Sequence, residues 1–299
     1  MPSPTHRPVL ASLALAVSLL GAPAASAQWD LGVVGGGTGY EGELAPTDRR
    51  DHLELARPTA GLFARYQFMR STAVRMSYQW ARLNGTDRGR GSSESRNYRF
   101  RNDVHEIHAM VEFYPLTAER YVAWYLTFGG AFYLHDPTTD FAGNGSIPAG
   151  RYSLRELGTE GQGIEGFGER YSRTGLAVPM GTGLRFRLGE RFLLGTEFLV
   201  RVTGTDYLDD LSARRYVPED ILAANGPLAV ELAYRTDEIV GLTDPALRSP
   251  DETIVRANPE TNDFYWSLQA TFSYQFGNPR PLPKPKNSRR RGPIPCVRF

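Results

Sequence analysis

Residues 264–276 read FYWSLQATFSYQF, and this stretch decides the fold. Phe264, Trp266, Leu268, Ala270, Phe272, Tyr274 and Phe276 alternate strictly with Tyr265, Ser267, Gln269, Thr271, Ser273 and Gln275. Side chains of a β-strand point to opposite faces in turn, so a period of two marks a strand with one apolar and one polar side. Working outward, the same pattern recurs along the chain. Ala60, Leu62, Ala64, Tyr66 and Phe68 oppose Phe63, Arg65 and Gln67, and Val74, Met76, Tyr78 and Trp80 oppose Arg75, Ser77 and Gln79. Ile107, Ala109, Val111 and Phe113 oppose Glu106, His108, Met110 and Glu112. Further runs cover 122–134, 176–188 and 192–203, with Arg185, Arg187, Glu197 and Arg201 on the polar side. Trp29 to Gly37 supplies a glycine-rich eighth strand.

The links between these runs alternate as well. Short turns fall at Met69-Arg70, Pro115 to Arg120 and Gly189-Glu190, while long links cover about 38–57, 84–97, 135–170 and 205–261. An even-stranded up-and-down barrel in an outer membrane has short turns on one side and long loops on the other, with lipid outside and a polar interior. Arg65, Arg75, Glu106, Glu112, Arg185, Glu197 and Arg201 then face a lumen where they can pair. A dry soluble core would hold so many charges only at high desolvation cost. A lipocalin-like soluble barrel also has eight strands, but it requires the apolar face inside. The expected fold is therefore all-β, an eight-stranded antiparallel transmembrane barrel over residues 28–277, with aromatic girdles at Trp29, Tyr66, Phe68, Trp80, Tyr114, Tyr121, Tyr274 and Phe276. Eight strands leave an interior about filled by side chains, which disfavours a transport pore.

The ends support export. His6 and Arg7, the apolar run Val9 to Leu20 and the small residues Ala25-Ser26-Ala27 read as a signal peptide over 1–27, cut before Gln28. Cys296 is the one cysteine, so no disulfide can form within the chain. Residues 278–299 carry seven Lys or Arg, six prolines and no acid. This reads as an extended basic arm on the periplasmic side, with Arg289, Arg290 and Arg291 as its partner-binding contact.

The remaining candidates are weighed by their chemistry. GGGTGYEG (35–42) contains the GxGxxG spacing of a dinucleotide turn, but Glu41 to Arg50 is acidic and Pro-broken with no helix to receive a pyrophosphate. The glycines are instead expected where the first strand leaves the wall. His105, Glu106 and His108 are the nearest approach to a catalytic set, and no Ser-His-Asp spacing accompanies them. Glu106 and His108 read as lumen residues, and the chain as a non-enzyme. Asp206, Asp209 and Asp210 offer calcium-type oxygens without a calcium loop's regularity, so they read as a loop anchor. No cofactor, metal, nucleotide or nucleic acid is called for.

Three stretches carry a family resemblance: Gly36 to Leu44 (GGxxYxGEL), Gly158 to Gly163 (GTEGQG) and, most specifically, Thr205-Asp206-Tyr207-Leu208-Asp209-Asp210. With Tyr274-Gln275-Phe276-Gly277, they make the chain resemble, from Trp29 to Gly277, the small outer-membrane barrels of Bacteroidota typified by the PorG-like subunit of the type IX secretion system. The resemblance implies an accessory or anchoring barrel that docks periplasmic ring components of that machine. The rival expectation is a stand-alone structural or adhesion barrel that uses its outer loops.

Overall fold

The computed structural model describes residues 28–46, 52, 54–87, 96–212, 218–239, 257–258 and 260–277. The segment 1–27 read as a signal peptide, Cys296 and the basic arm with Arg289, Arg290 and Arg291 lie outside the described residues. Ten strands are described: β1 (Gln28–Glu41), β2 (Arg57–Gln67), β3 (Thr72–Thr86), β4 (Arg99–Phe113), β5 (Val122–Leu134), β6 (Pro137–Phe141), β7 (Gly150–Ser153), β8 (Thr174–Leu188), β9 (Phe192–Thr203) and β10 (Phe264–Phe276).

Eight of them close a barrel. The antiparallel order β3-β2-β1-β10-β9-β8-β5-β4 returns on itself through β3–β4 pairing, which leaves no free edge along the wall. Trp29 pairs with both Phe276 and Tyr66, so the first and last barrel strands meet side by side at the short-turn end. β6 and β7 form a separate hairpin that leans on the projecting part of β4 through Arg101 and Asn102.

Period-two alternation sets what each face meets. Leu176 (71 % exposed), Leu62 and Phe128 (each 60 %) stand in an outward belt with Leu31, Val33, Met76, Ile107, Val122, Leu126, Phe132, Val178, Leu268 and Phe272. An apolar surface of that extent far exceeds what water-soluble monomers expose, whereas against acyl chains it carries no penalty. Ten residue steps separate Trp266 from Phe276. At about 3.4 Å per residue and a tilt of about 40°, that is a height of about 26 Å, enough for the apolar band of an outer-membrane barrel. Aromatic contacts bound the belt. Trp29–Tyr66, Tyr66–Phe68, Phe192–Tyr274 and Tyr274–Phe276 lie at the turn end, and Phe198–Trp266 lies at the other. Among the described residues no helix is long and apolar enough to cross a membrane.

One sequence expectation is corrected here. β1 does not leave the wall at its glycines: it remains paired with β10 as far as Glu41–Phe264. The glycines permit close packing inside the wall. A Cβ on Gly39 would lie 2.4 Å from the Trp266 ring, which covers that position while its Nε1 donates to Glu41 Oε1 at 3.0 Å. The aromatic ring restores the packing surface a strand glycine lacks.

The described parts of the long links are packed. Beyond the belt they fold into a cap with its own core of Leu44, Leu83, Tyr98, Phe100, Leu154, Leu208, Leu211 and Leu232, continuous with Tyr40, Tyr133 and Tyr265 of the wall. Among the described residues it holds the short helices α1 (Leu154–Leu157), α2 (Pro218–Asn225) and α3 (Pro227–Ala233). Ser153 caps α1 by accepting from Glu156 N, and Gly158 ends it in the left-handed region at φ 66°. At the turn end, Ala73, Tyr114, Ala118, Ala123 and Tyr125 pack together across the mouth, so Tyr114, expected in the outer girdle, is instead fully buried with its hydroxyl donating to Glu112 inside the barrel.

Candidate functional site: the sealed lumen and the loop-end cap

The seven lumen residues singled out by alternation all lie within the barrel at 3 % exposure or less. Strand register brings them into contact. Near the turn end, Arg65 stands between Asp30 (3.3 Å) and Glu112 (2.8 Å), and Arg185 reaches Asp30 at 3.9 Å. Arg185 also donates to the Ala118 carbonyl (2.8 Å) and Gln67 Oε1 (3.2 Å), tying the turn at 114–121 to the wall. Higher up, Arg75 bridges Glu112 (3.4 Å) and Glu197 (2.7 Å). Glu197 further accepts from the Tyr125 hydroxyl (2.7 Å) and Gln269 Nε2 (2.8 Å). Gln79 donates to Gln269 Oε1 (2.9 Å) and accepts from Arg201 (3.0 Å), and Arg201 pairs with Glu106 (3.1 Å).

The result is one connected polar network from Arg185 to Glu106, in which four arginines meet four carboxylates. Asp30 is the member the sequence reading missed. Its signal was its inward parity on β1, obscured by the surrounding glycines. Among the described residues this network of paired, buried charges lies between the apolar clusters at the two ends, filling the interior as side chains do in an eight-stranded barrel.

The His–Glu pair is part of the same lumen network. His108 Nδ1 lies 2.5 Å from Glu106 Oε1, and Glu106 also holds Arg201 and the Tyr265 hydroxyl (2.5 Å). Ser77 faces His108 in register, but among the described residues no hydrogen bond joins its hydroxyl to the imidazole. His105 points the other way, out of the wall, and bonds the Tyr78 hydroxyl at 2.8 Å.

At the loop end, the 205–210 segment is the hub of the cap, and the structure separates its aspartates. Asp210, held at φ 72°, accepts from the hydroxyls of Thr159, Tyr98 (3.2 Å) and Tyr171 (2.7 Å). Residues of three long links therefore converge on one carboxylate. Burial, then the Glu160 carboxylate, pushes Asp210 up to about 7. Asp209 accepts from the Tyr40 hydroxyl (2.8 Å) and from Leu211 N (2.8 Å). Asp263 also contacts that hydroxyl at 2.7 Å and accepts from Leu208 N (2.9 Å). Tyr40 has one proton to give, so its two short contacts require a proton on one of the carboxylates. Burial raises both acids, helped at Asp209 by the Asp263 charge and at Asp263 by the Asp206 charge.

Asp206 faces elsewhere, toward Glu43 and Asp263, so the three motif aspartates do not converge on a common point. Thr205 takes part through its backbone, accepting from Asp263 N at 3.0 Å, while the Tyr207 ring stacks on Tyr171 at 4.5 Å. That stack continues to His135, with centroids 5.9 Å apart, and the Tyr133 ring meets His135 at a tilt of 58° and 5.5 Å. Burial pushes His135 down to about 4, which keeps it neutral in the stack. Two arginines fasten further pieces. Arg96 binds both oxygens of Asp87 (2.7 and 2.6 Å), and Arg235 ties the segment after α3 to β6 through Thr139 (2.7 Å) and the Asp140 carbonyl (2.9 Å).

Against known proteins, residues 10–136 match a family model described as a domain of unknown function, DUF6089. No curated protein matches the chain. Among solved structures, the chain is similar to a major outer membrane protein of Thermus thermophilus: 13 % identity, 84 % of this chain and 100 % of that one covered, TM-score 0.43. It is also similar to the attachment invasion locus protein Ail of Yersinia pestis, at 11 % identity over 84 % of this chain and 97 % of that one, TM-score 0.36. Neisserial surface protein A has 10 % identity over the same shares and the same TM-score. These are likenesses of fold. The closed eight-stranded antiparallel barrel is the architecture of outer-membrane barrels.

Proposed function

We propose that this chain is a non-enzymatic, non-conducting outer-membrane anchor that acts by binding, with its ordered cap outside the cell and its short turns and termini in the periplasm. The observation that supports this best is the joint filling of the molecule. A continuous buried ion-pair network occupies the lumen, and a cap with a hydrophobic core closes the loop end. A pore needs an open lumen, and a lipid-processing enzyme needs a nucleophile and base reachable from the lipid or the rim. A barrel sealed at both ends supports a folded surface instead.

The resemblance at Gly36 to Leu44, Gly158 to Gly163 and Thr205 to Asp210 supports a second, finer reading: an accessory barrel of a type IX-like secretion machine that docks periplasmic partners. All three stretches contribute to the loop end of this chain, so a docking role falls to the turn end and the basic arm. Deleting the gene while following secreted cargo and surface binding separates the two. Loss of cargo with normal surface binding supports secretion, and the converse supports the cap as the working surface. Planar-bilayer recording of the purified barrel tests the shared premise, because porin-like current steps would refute a sealed lumen.

A further inference from the structure

We propose that Glu43, Asp206 and Asp263 form a binding site for one divalent cation of the calcium type at the base of the cap. Their carboxylate oxygens lie within 4.8 Å of one another. Oxygens bound at about 2.3–2.6 Å to a single calcium ion can stand that far apart on opposite sides of it. The cluster alone would be unremarkable, because acidic groups gather without ions. What sets it apart is Asp206. It is 6 % exposed, both of its carboxylate oxygens are buried, and neither has a hydrogen-bond partner. A carboxylate so placed carries its full desolvation cost with nothing to offset it, unless something occupies the space it faces.

The neighbours offset little of this charge: Arg96 acts on Glu43 from a distance, after burial and the backbone hydrogen bonds. Among the described residues no Lys or Arg stands at ion-pair distance from any of the three acids. The nearby Arg96 guanidinium is bound at both ends to Asp87. Burial together with the Glu43 and Glu160 charges pushes Asp206 up to about 7, against a weaker pull from the Ser212 hydroxyl, which stands close without bonding to it.

The other two acids have lone pairs to spare. Glu43 accepts from Asn258 N at 3.2 Å, and Asp263 uses one bond on each oxygen, from Tyr40 and Leu208 N. The backbone is shaped for close approach. A Cβ on Gly42 would lie 2.1 Å from Asp263 Oδ1, so a glycine at this position lets the first long link descend onto the carboxylates. Glu43 follows β1, Asp206 follows β9 and Asp263 precedes β10, three strands adjacent in the wall. A cation here would clamp the first, second-last and last barrel strands together at the point where the cap begins.

The test uses the purified full-length barrel in detergent, freed of metal by chelation, at pH 7.5. Calcium is titrated by calorimetry, and terbium by luminescence sensitised through Tyr40, whose hydroxyl contacts Asp263. One equivalent should bind per chain, calcium should compete the terbium signal, and the unfolding midpoint should rise with calcium. Asp206→Asn should weaken binding at least tenfold. Because its carboxylate makes no hydrogen bond, this variant should fold and should be at least as stable as wild type in chelator. Glu43→Gln provides a second variant should Asp206→Asn not fold. Asp140→Asn, an exposed partner of Arg151 elsewhere in the cap, should bind as wild type does. The proposal is overturned if neither ion binds saturably, or if both site variants bind as wild type does. It also fails if the only effect at the cluster is a gain in stability on acidification that calcium does not reproduce, because protons would then be the natural occupants.

Discussion

Replacing Glu197 by Gln tests whether the lumen is held by dry charge pairs. The glutamate is 1 % exposed and accepts from Arg75 (2.7 Å), the Tyr125 hydroxyl (2.7 Å) and Gln269 Nε2 (2.8 Å). The substitution preserves shape, but an amide offers one acceptor oxygen and turns an N–H₂ toward groups that are themselves donors. Arg75 would retain only Glu112 at 3.4 Å, which Arg65 already shares. Stranding a buried charge in this way costs about 3–5 kcal/mol. Arg75→Met strands Glu197 and should cost a similar amount. The double variant removes both charges and should fall short of the sum by about 2 kcal/mol, within the range seen for contacting residues. Urea unfolding from lipid vesicles provides the assay, with tryptophan fluorescence as the readout. Trp29, Trp80, Trp124 and Trp266 all belong to the lipid-facing parity, so the signal reports on the wall. If Glu197→Gln lies within about 0.5 kcal/mol of wild type, the ordinary scatter of surface substitutions, the lumen is wet and the sealed-network argument fails.

Other outcomes follow from the same geometry. Gly36→Ala would put a Cβ 2.2 Å from the Leu268 carbonyl, so the wall must shift. A loss of about 1–3 kcal/mol is expected, read as a lower yield of SDS-resistant barrel at moderate heat, and an unchanged yield would contradict the close packing described for β1. The cap should be less stable at pH 8 than at pH 5 when divalent cations are chelated. Asp206 and Asp210 are raised to about 7 in the folded state, so the unfolded chain binds fewer protons between about pH 4 and 7. Stability therefore falls as pH rises through that window and levels off above it. Proteolysis of the cap at the two pH values, normalised to an unfolded substrate, checks the sign, and faster cleavage at pH 5 would reverse it. Asp210→Ala should release the Thr159, Tyr98 and Tyr171 hydroxyls together, so new cuts should appear in 135–170 and 205–212 while the barrel stays SDS-resistant. Cuts confined to the short turns would mean that Asp210 is not the hub of the cap.

The sequence by itself determined the wall. Alternation is a local property, and eight runs with charges on one parity place Arg65, Arg75, Glu106, Glu112, Arg185, Glu197 and Arg201 inward without knowledge of any partner. Which carboxylate meets which arginine was not legible, because contacts such as Arg75–Glu197 and Arg201–Glu106 depend on how the curved sheet closes and on its stagger. Asp30 was hidden for a related reason. The glycines around it weaken the periodic signal, and only pairing to β2 and β10 shows that β1 runs inside the wall through Glu41. The cap was the least readable part. Its links have no period, and its core assembles from residues as distant as Leu44, Leu154 and Leu232, brought together only once the barrel fixes the ends of the links. Thr205 to Asp210 looks in sequence like one acidic cluster. The fold sends Asp210 to three hydroxyls, Asp209 to Tyr40 and Asp206 to face Glu43 and Asp263, because consecutive residues of a turning backbone point in different directions and only tertiary neighbours decide what each one meets.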